Sequence, residues 1–135
     1  MLPNLTEAAN RGEATSLLIR AGWRVYRPEA DVHGEDLVLR CPEGRLLAVQ
    51  QKGCPEVDRK KYAGKDLWLL FPDPKSIPGR RPWYLLPHDV LLKYFADRHP
   101  GTGSIAKGIW TETVMVSHLQ GFLDEKAVRF DPPTA

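Results

Sequence analysis

Apolar residues recur at three- and four-residue intervals through Leu5, Ala8, Ala9, Leu17, Leu18 and Ala21. This period predicts a helix over Leu5–Ala21, capped by Asn4 and ended by Gly22. Trp23–Arg27 then alternates as a strand closed by Pro28, and a charged, glycine-containing loop runs from Glu29 to Gly34. Two further strands are expected over Glu35–Arg40 and Arg45–Lys52, around Cys41-Pro42-Glu43-Gly44. Early proline and late glycine suit a three-residue hairpin loop, with Pro42-Glu43 in a type I turn and Gly44 left-handed. That register sets Cys41 against Arg45, Val38 against Ala48 and Asp36 against Gln50.

Beyond Gly53 and Pro55, Asp58–Tyr62 reads as a short helix, and Asp66–Phe71 is apolar nearly throughout, like a strand buried on both faces. A loop bearing Pro72, Pro74, Pro78 and Pro82 precedes a strand at Trp83–Leu86. Pro87 suits the first turn of a helix reaching Arg98, with Val90, Leu91, Tyr94 and Phe95 inward. A last helix is expected over Glu112–Leu123, and residues 129–135 read as a frayed tail. No repeat and no interior linker appears, so the pattern describes one α/β domain.

Composition narrows this picture by exclusion. Among 135 residues, 11 glycines and 12 prolines fall short of low-complexity disorder. No apolar run approaches the roughly 20 residues that cross a bilayer, and no basic, hydrophobic leader opens the chain, so neither a membrane nor a secreted protein is expected. Cys41 and Cys54 have no zinc-ligand spacing and are too few for a disulfide framework, which fits a reducing cytoplasm. With 19 basic against 17 acidic residues, bulk charge names no partner.

Chemistry enters where polar residues interrupt the apolar pattern. Glu13 lies four residues after Ala9 and four before Leu17, so it either turns to solvent or points a carboxylate at the sheet. Strand alternation places Asp36 and Val38 on one face, and Ala48, Gln50 and Lys52 on one face of the partner strand. An acid, an amide and an ammonium then converge. Their oxygens suit a hard cation such as magnesium, and Lys52 suits the orientation of water or the neutralisation of developing charge in phosphodiester hydrolysis. The plain alternative is a hairpin whose polar end reaches water.

With Glu13 in Gly12-Glu13-Ala14, Asp36 in Gly34-Glu35-Asp36-Leu37-Val38-Leu39, and Val49-Gln50-Gln51-Lys52-Gly53 after the Gly22-Trp23-Arg24-Val25 stretch, the chain resembles the PD-(D/E)XK nuclease superfamily. The likeness spans roughly residues 5–72 and is similar to that of intron-homing endonucleases and Holliday-junction resolvases. It implies a restriction-endonuclease-like core of helix, three antiparallel strands, helix and further strand, here with C-terminal helices. It also implies a metal-dependent DNA endonuclease leaving a 5′-phosphate and a 3′-hydroxyl. Asp36 would be the main ligand of magnesium, with manganese as a substitute; Gln50 and Glu13 would be further ligands, and Lys52 would position or activate water. Gln50 departs from the acidic residue usual there, which removes one negative charge from the site. A catalytically inactive DNA-binding or regulatory module with this fold is the competing expectation, followed by a protein-interaction domain unrelated to nucleases.

Arg59, Lys60, Lys61 and Lys65 follow the site in sequence and are candidates for backbone phosphates, of DNA first with RNA left open; Arg80 and Arg81 are weaker ones, and a solvated charged turn is the alternative. Trp68, Trp83, Tyr84 and Trp110 sit in apolar contexts and read as core, while His33 near Asp36 reads as a loop residue. Small nucleases of this type assemble to reach two strands, so a homodimer or homotetramer is expected.

Overall fold

The computed structural model describes residues 3–29, 35–99, 108–113 and 115–128; His33 and the tail at 129–135 lie outside them. The elements run α1 (Pro3–Arg20), β1 (Arg24–Tyr26), β2 (Leu37–Arg40), β3 (Leu46–Gln51), β4 (Glu56–Asp58), α2 (Arg59–Tyr62), β5 (Trp68–Pro72), β6 (Trp83–Pro87), α3 (His88–Arg98), β7 (Ile109–Thr111) and α4 (Ser117–Asp124). Helix α1 ends as its glycine demands. Gly22 has φ of 90°, its N–H donates to Ile19 O at 3.1 Å, and the Trp23 N–H reaches back to Leu18 O at 2.9 Å. These are the two bonds of a Schellman motif, which satisfy carbonyls the helix end leaves bare.

The face that α1 buries differs from the expected stripe. Ala14, Leu18 and Ala21 are buried, whereas Leu5, Ala8 and Ala9 are exposed, and Asn4 lies inside the helix rather than at its cap. Three- and four-residue steps back from Ala14 and Leu17 land on Asn10 and Glu13, so the inward line turns polar as it approaches the N-terminal half.

Five strands form one sheet in the order β1-β2-β3-β5-β6, antiparallel except where β5 runs parallel to β3. The β2–β3 hairpin takes the expected register, with Leu37 opposite Val49 and Val38 opposite Ala48. Its turn closes through Gly44 N–H to Cys41 O at 2.8 Å, with Gly44 at φ 99°. Leu37, Leu39, Leu47 and Val49 alternate inward with Leu70 and Trp83 against Ala14 and Leu18 of α1. On the other side Leu69, Phe71, Tyr84 and Leu86 pack on α3 and α4 through Leu91, Phe95, Leu119 and Leu123. With a core on both faces, Leu69, Leu70 and Phe71 are all fully buried. Each such side chain contributes about 1.5–3 kcal/mol of burial.

The C-terminal half departs from expectation in three places. Val90 points outward at 41% exposure, and Leu92 is buried instead, because the face of α3 centres on Leu91 and Phe95. Residues Ile109–Thr111 form a strand that pairs with β4, a second, two-stranded sheet. Glu112 therefore begins no helix: its N–H donates to Pro55 O at 2.9 Å, its carboxylate takes the Trp110 indole at 2.9 Å, and α4 starts at Ser117. Among the described residues no helix is long and apolar enough to cross a membrane.

Candidate functional site

At the sheet end where β2 begins and β3 stops, a cavity of about 670 Å³ opens. Asp36, Gln50, Gln51, Lys52 and Gly53 line it, with Glu7, Asn10 and Arg11 of α1, Arg27 and Pro28 after β1, and Glu56 of β4. Asp36 stands just ahead of β2, where the ladder loses regularity. Its N–H donates to Val49 O at 2.8 Å, and its Oδ2 accepts the Gln51 N–H at 3.0 Å, so the carboxylate clamps the hairpin end. The register that pairs Leu37 with Val49 brings Asp36 beside Gln50.

Gln50 Oε1 is buried, and no group among the described residues donates a hydrogen bond to it. Leaving a buried acceptor without a donor costs roughly 1–3 kcal/mol, so native structures rarely keep one without a use for it. It is the sole such side-chain atom among the described residues.

Lys52 leaves β3 at the cavity and donates from Nζ to Glu56 Oε2 at 3.0 Å, while its ammonium lies 5.4 Å from the Tyr62 ring centroid. Burial alone pulls the Lys52 pKa down, yet the bond and charge of Glu56, with Tyr62 behind, outweigh it and hold the pKa above the ordinary lysine value. Lys52 is therefore a cation and a donor in this arrangement, unsuited to taking a proton.

Glu13 lies on the inward line of α1 but does not line the cavity. Arg81 Nε and Nη2 each reach a different Glu13 oxygen at 3.0 Å, and the Trp83 indole N–H donates at 2.7 Å. The side chains of Arg81 and Glu13 are only 7% and 12% exposed. Burial pushes the Glu13 carboxyl up, but Arg81, Trp83 and the Gly79 backbone, together with the Arg81 charge, hold it below its ordinary value. Arg81 Nη2 also donates to Asn10 Oδ1 at 2.8 Å, and Asn10 lines the cavity, so the cluster backs one wall. Arg81, assigned by its sequence context to a loop, is thus half of a buried fork; only its place two residues before a core tryptophan hinted at this.

Arg59, Lys60, Lys61 and Lys65 are exposed and lie outside the cavity lining. The first three belong to α2, whose cap Asp58 accepts the Lys61 N–H at 3.1 Å, and Lys60 packs along Gly108. Trp83 and Tyr84 are fully buried, and Trp68 and Trp110 are half-buried. Glu56 was invisible as a site residue: it sits four residues after Lys52, a spacing that signals contact on a helix, whereas here it joins a strand end to a new strand.

No group of three or more His, Cys, Asp or Glu side chains suited to a metal occurs among the described residues. Of the three carboxylates that line the cavity, Glu7 stands out on α1 and Glu56 is bound to Lys52, which leaves Asp36 beside the buried Gln50 amide oxygen, a pair that matches magnesium's habit of taking few protein oxygens and keeping waters and phosphate oxygens for the rest. The donor set fits that ion.

No protein-family model matches the chain, and no curated protein does. Among solved structures it is similar to a bacterial homing endonuclease, I-Ssp6803I, at 25% identity over 69% of this chain and 71% of that one, with a TM-score of 0.49.

Proposed function

We propose that the chain is a metal-dependent DNA endonuclease of the PD-(D/E)XK type, hydrolysing phosphodiester bonds to a 5′-phosphate and a 3′-hydroxyl. The observation that carries this reading is the buried Gln50 oxygen, without a donor among the described residues, in one cavity with the Asp36 carboxylate and the Lys52 ammonium. Asp36 and Gln50 would hold magnesium, or manganese in its place. A bound divalent ion supplies Lewis-acid polarisation of a phosphate oxygen and a more acidic water. Asp36, fixed by the Gln51 N–H, contributes the negative charge that draws the cation in. Lys52, kept protonated, orients the attacking water and offsets charge growing on the phosphate oxygens. Glu13, proposed as a third ligand from the sequence, would need to exchange Arg81 for the ion; otherwise it acts through the wall it braces.

Arg59, Lys60, Lys61 and Lys65 would contact the backbone of a DNA reaching past the cavity, RNA remaining an open substrate class, and a homodimer or homotetramer in the cytoplasm would bring two sites to two strands. The test incubates the protein with linear, nicked, branched and single-stranded DNA in magnesium, manganese or chelator. Cleavage with a divalent ion, abolished in Asp36→Ala and Lys52→Ala, is expected; no cleavage of any substrate, or unaltered cleavage by both variants, ends the reading. A second reading, an inactive DNA-binding module, draws on Glu13 and Lys52 both being held by protein partners. It predicts metal-independent binding that survives Asp36→Ala.

A further inference from the structure

Lys52 hangs from the end of β3, and nothing in the five-stranded sheet fixes the tip of its side chain. The constraint comes from the other sheet. Glu56 is the first residue of β4, and its register partner across the two-stranded sheet is Thr111 of β7. One Glu56 oxygen takes the Lys52 ammonium at 3.0 Å, and the other accepts from Thr111 Oγ1 at 3.1 Å. A carboxylate with both oxygens committed, one to a strand partner, cannot swing freely, so the lysine it holds is fixed as well. The Tyr62 ring, 3% exposed, stands 5.4 Å from the same ammonium and closes another side.

We propose that Glu56 is a positioning residue for Lys52, and that the β4–β7 sheet, through Thr111 and Glu56, sets where the ammonium stands in the cavity against a phosphate. The inference rests on the nuclease reading above for its catalytic consequence, and on geometry alone for the ordering of Lys52. The small sheet thereby acquires a role, since a segment more than 50 residues downstream of Lys52 controls the aim of its charge.

Glu56→Ala, Glu56→Gln and Thr111→Val test this, with folding checked by urea unfolding. One readout is independent of cleavage: in metal-free protein carrying ¹⁵N-lysine, an exchange-protected ammonium signal is expected that Lys52→Arg removes. It should vanish in Glu56→Ala and persist in Glu56→Gln, whose amide oxygen still accepts. The second is DNA cleavage in magnesium. Glu56→Ala should lower kcat on the order of a hundredfold, the effect of a misplaced catalytic group, at unchanged KM for DNA. Glu56→Gln should recover most of that loss, and Thr111→Val should fall between the parent and Glu56→Ala.

An unchanged kcat in Glu56→Ala, a loss confined to KM, or a faster variant would overturn the positioning role while leaving the nuclease reading intact. If the parent cuts no DNA, the nuclease reading falls and the ammonium signal alone decides: its loss in Glu56→Ala and retention in Glu56→Gln uphold the ordering of Lys52, and any other pattern refutes it.

Discussion

Around Glu13 each polar group has found a partner, with a guanidinium gripping both carboxylate oxygens, an indole adding a third bond and Asn10 taking the spare N–H of Arg81. Around Gln50, on the hairpin that α1 packs against, the pairing stays incomplete: a buried oxygen has no donor among the described residues, and its neighbours Asp36 and Lys52 face a cavity of about 670 Å³ rather than a packed core. Both regions break the apolar pattern with acids and amides. The difference lies in closure, since a completed polar network commits its hydrogen-bonding capacity to the fold, whereas an incomplete one keeps capacity for something that arrives later. By that criterion the Glu13 cluster is architecture, and the Asp36–Gln50 pair is where the proposed cation would be held.

The sharpest way to break the contrast is to remove one partner from each side. Arg81→Met should cost about 3 kcal/mol, because it strands a largely buried carboxylate. Lys52→Met, which opens a pair 21% and 31% exposed, should cost under about 1 kcal/mol. Urea unfolding midpoints at unchanged slope measure both. Equal losses would mean that the two regions do the same structural work.

A smaller effect of opposite sign is expected at the orphan. Gln50→Met keeps the length and removes the unsatisfied oxygen, so stability should rise by about 1 kcal/mol. The parent should gain thermal stability from millimolar magnesium by mass action, and the variant should not. A destabilised variant that still responds to magnesium would show that the oxygen serves the fold.

The parts of this picture that could be read from sequence are those whose causes are local. Gly22 and Gly44 mark their turns because the left-handed backbone they adopt, at φ 90° and 99°, is costly for other residues, and Gly44 thereby set the hairpin register that aligns Asp36 with Gln50. The β4–β7 sheet escaped because three-residue strands carry no period, and their pairing joins distant positions, Glu56 and Thr111 being 55 residues apart. The state of Glu13 escaped for the same reason, since its partner lies 68 residues away in a proline-bearing loop. An inward-pointing acid is legible from the helix period, but whether it is already paired is decided by tertiary contacts.

The finest difference is one of proton linkage. Because the folded carboxyl of Glu13 titrates below its ordinary value of 4.5, the stability it lends is fully present above that value and is lost as pH falls through the lower, folded one. A guanidinium stays charged across the acid range, so the loss follows the carboxylate alone. Glu13→Gln retains acceptors for Trp83 and one arm of Arg81 but has no charge to lose. The stability gap between parent and variant should therefore be constant above about pH 5 and shrink steadily toward pH 2. Asp89, whose carboxyl is raised by burial but drawn lower still by His88 and the Gly64 backbone, adds to the acid limb of both proteins and cancels in the difference. Urea unfolding at half-unit pH steps gives the curve. A gap that does not change with pH would mean that Glu13 is not held as a charged partner of Arg81, and the closed cluster would lose its claim to be architecture.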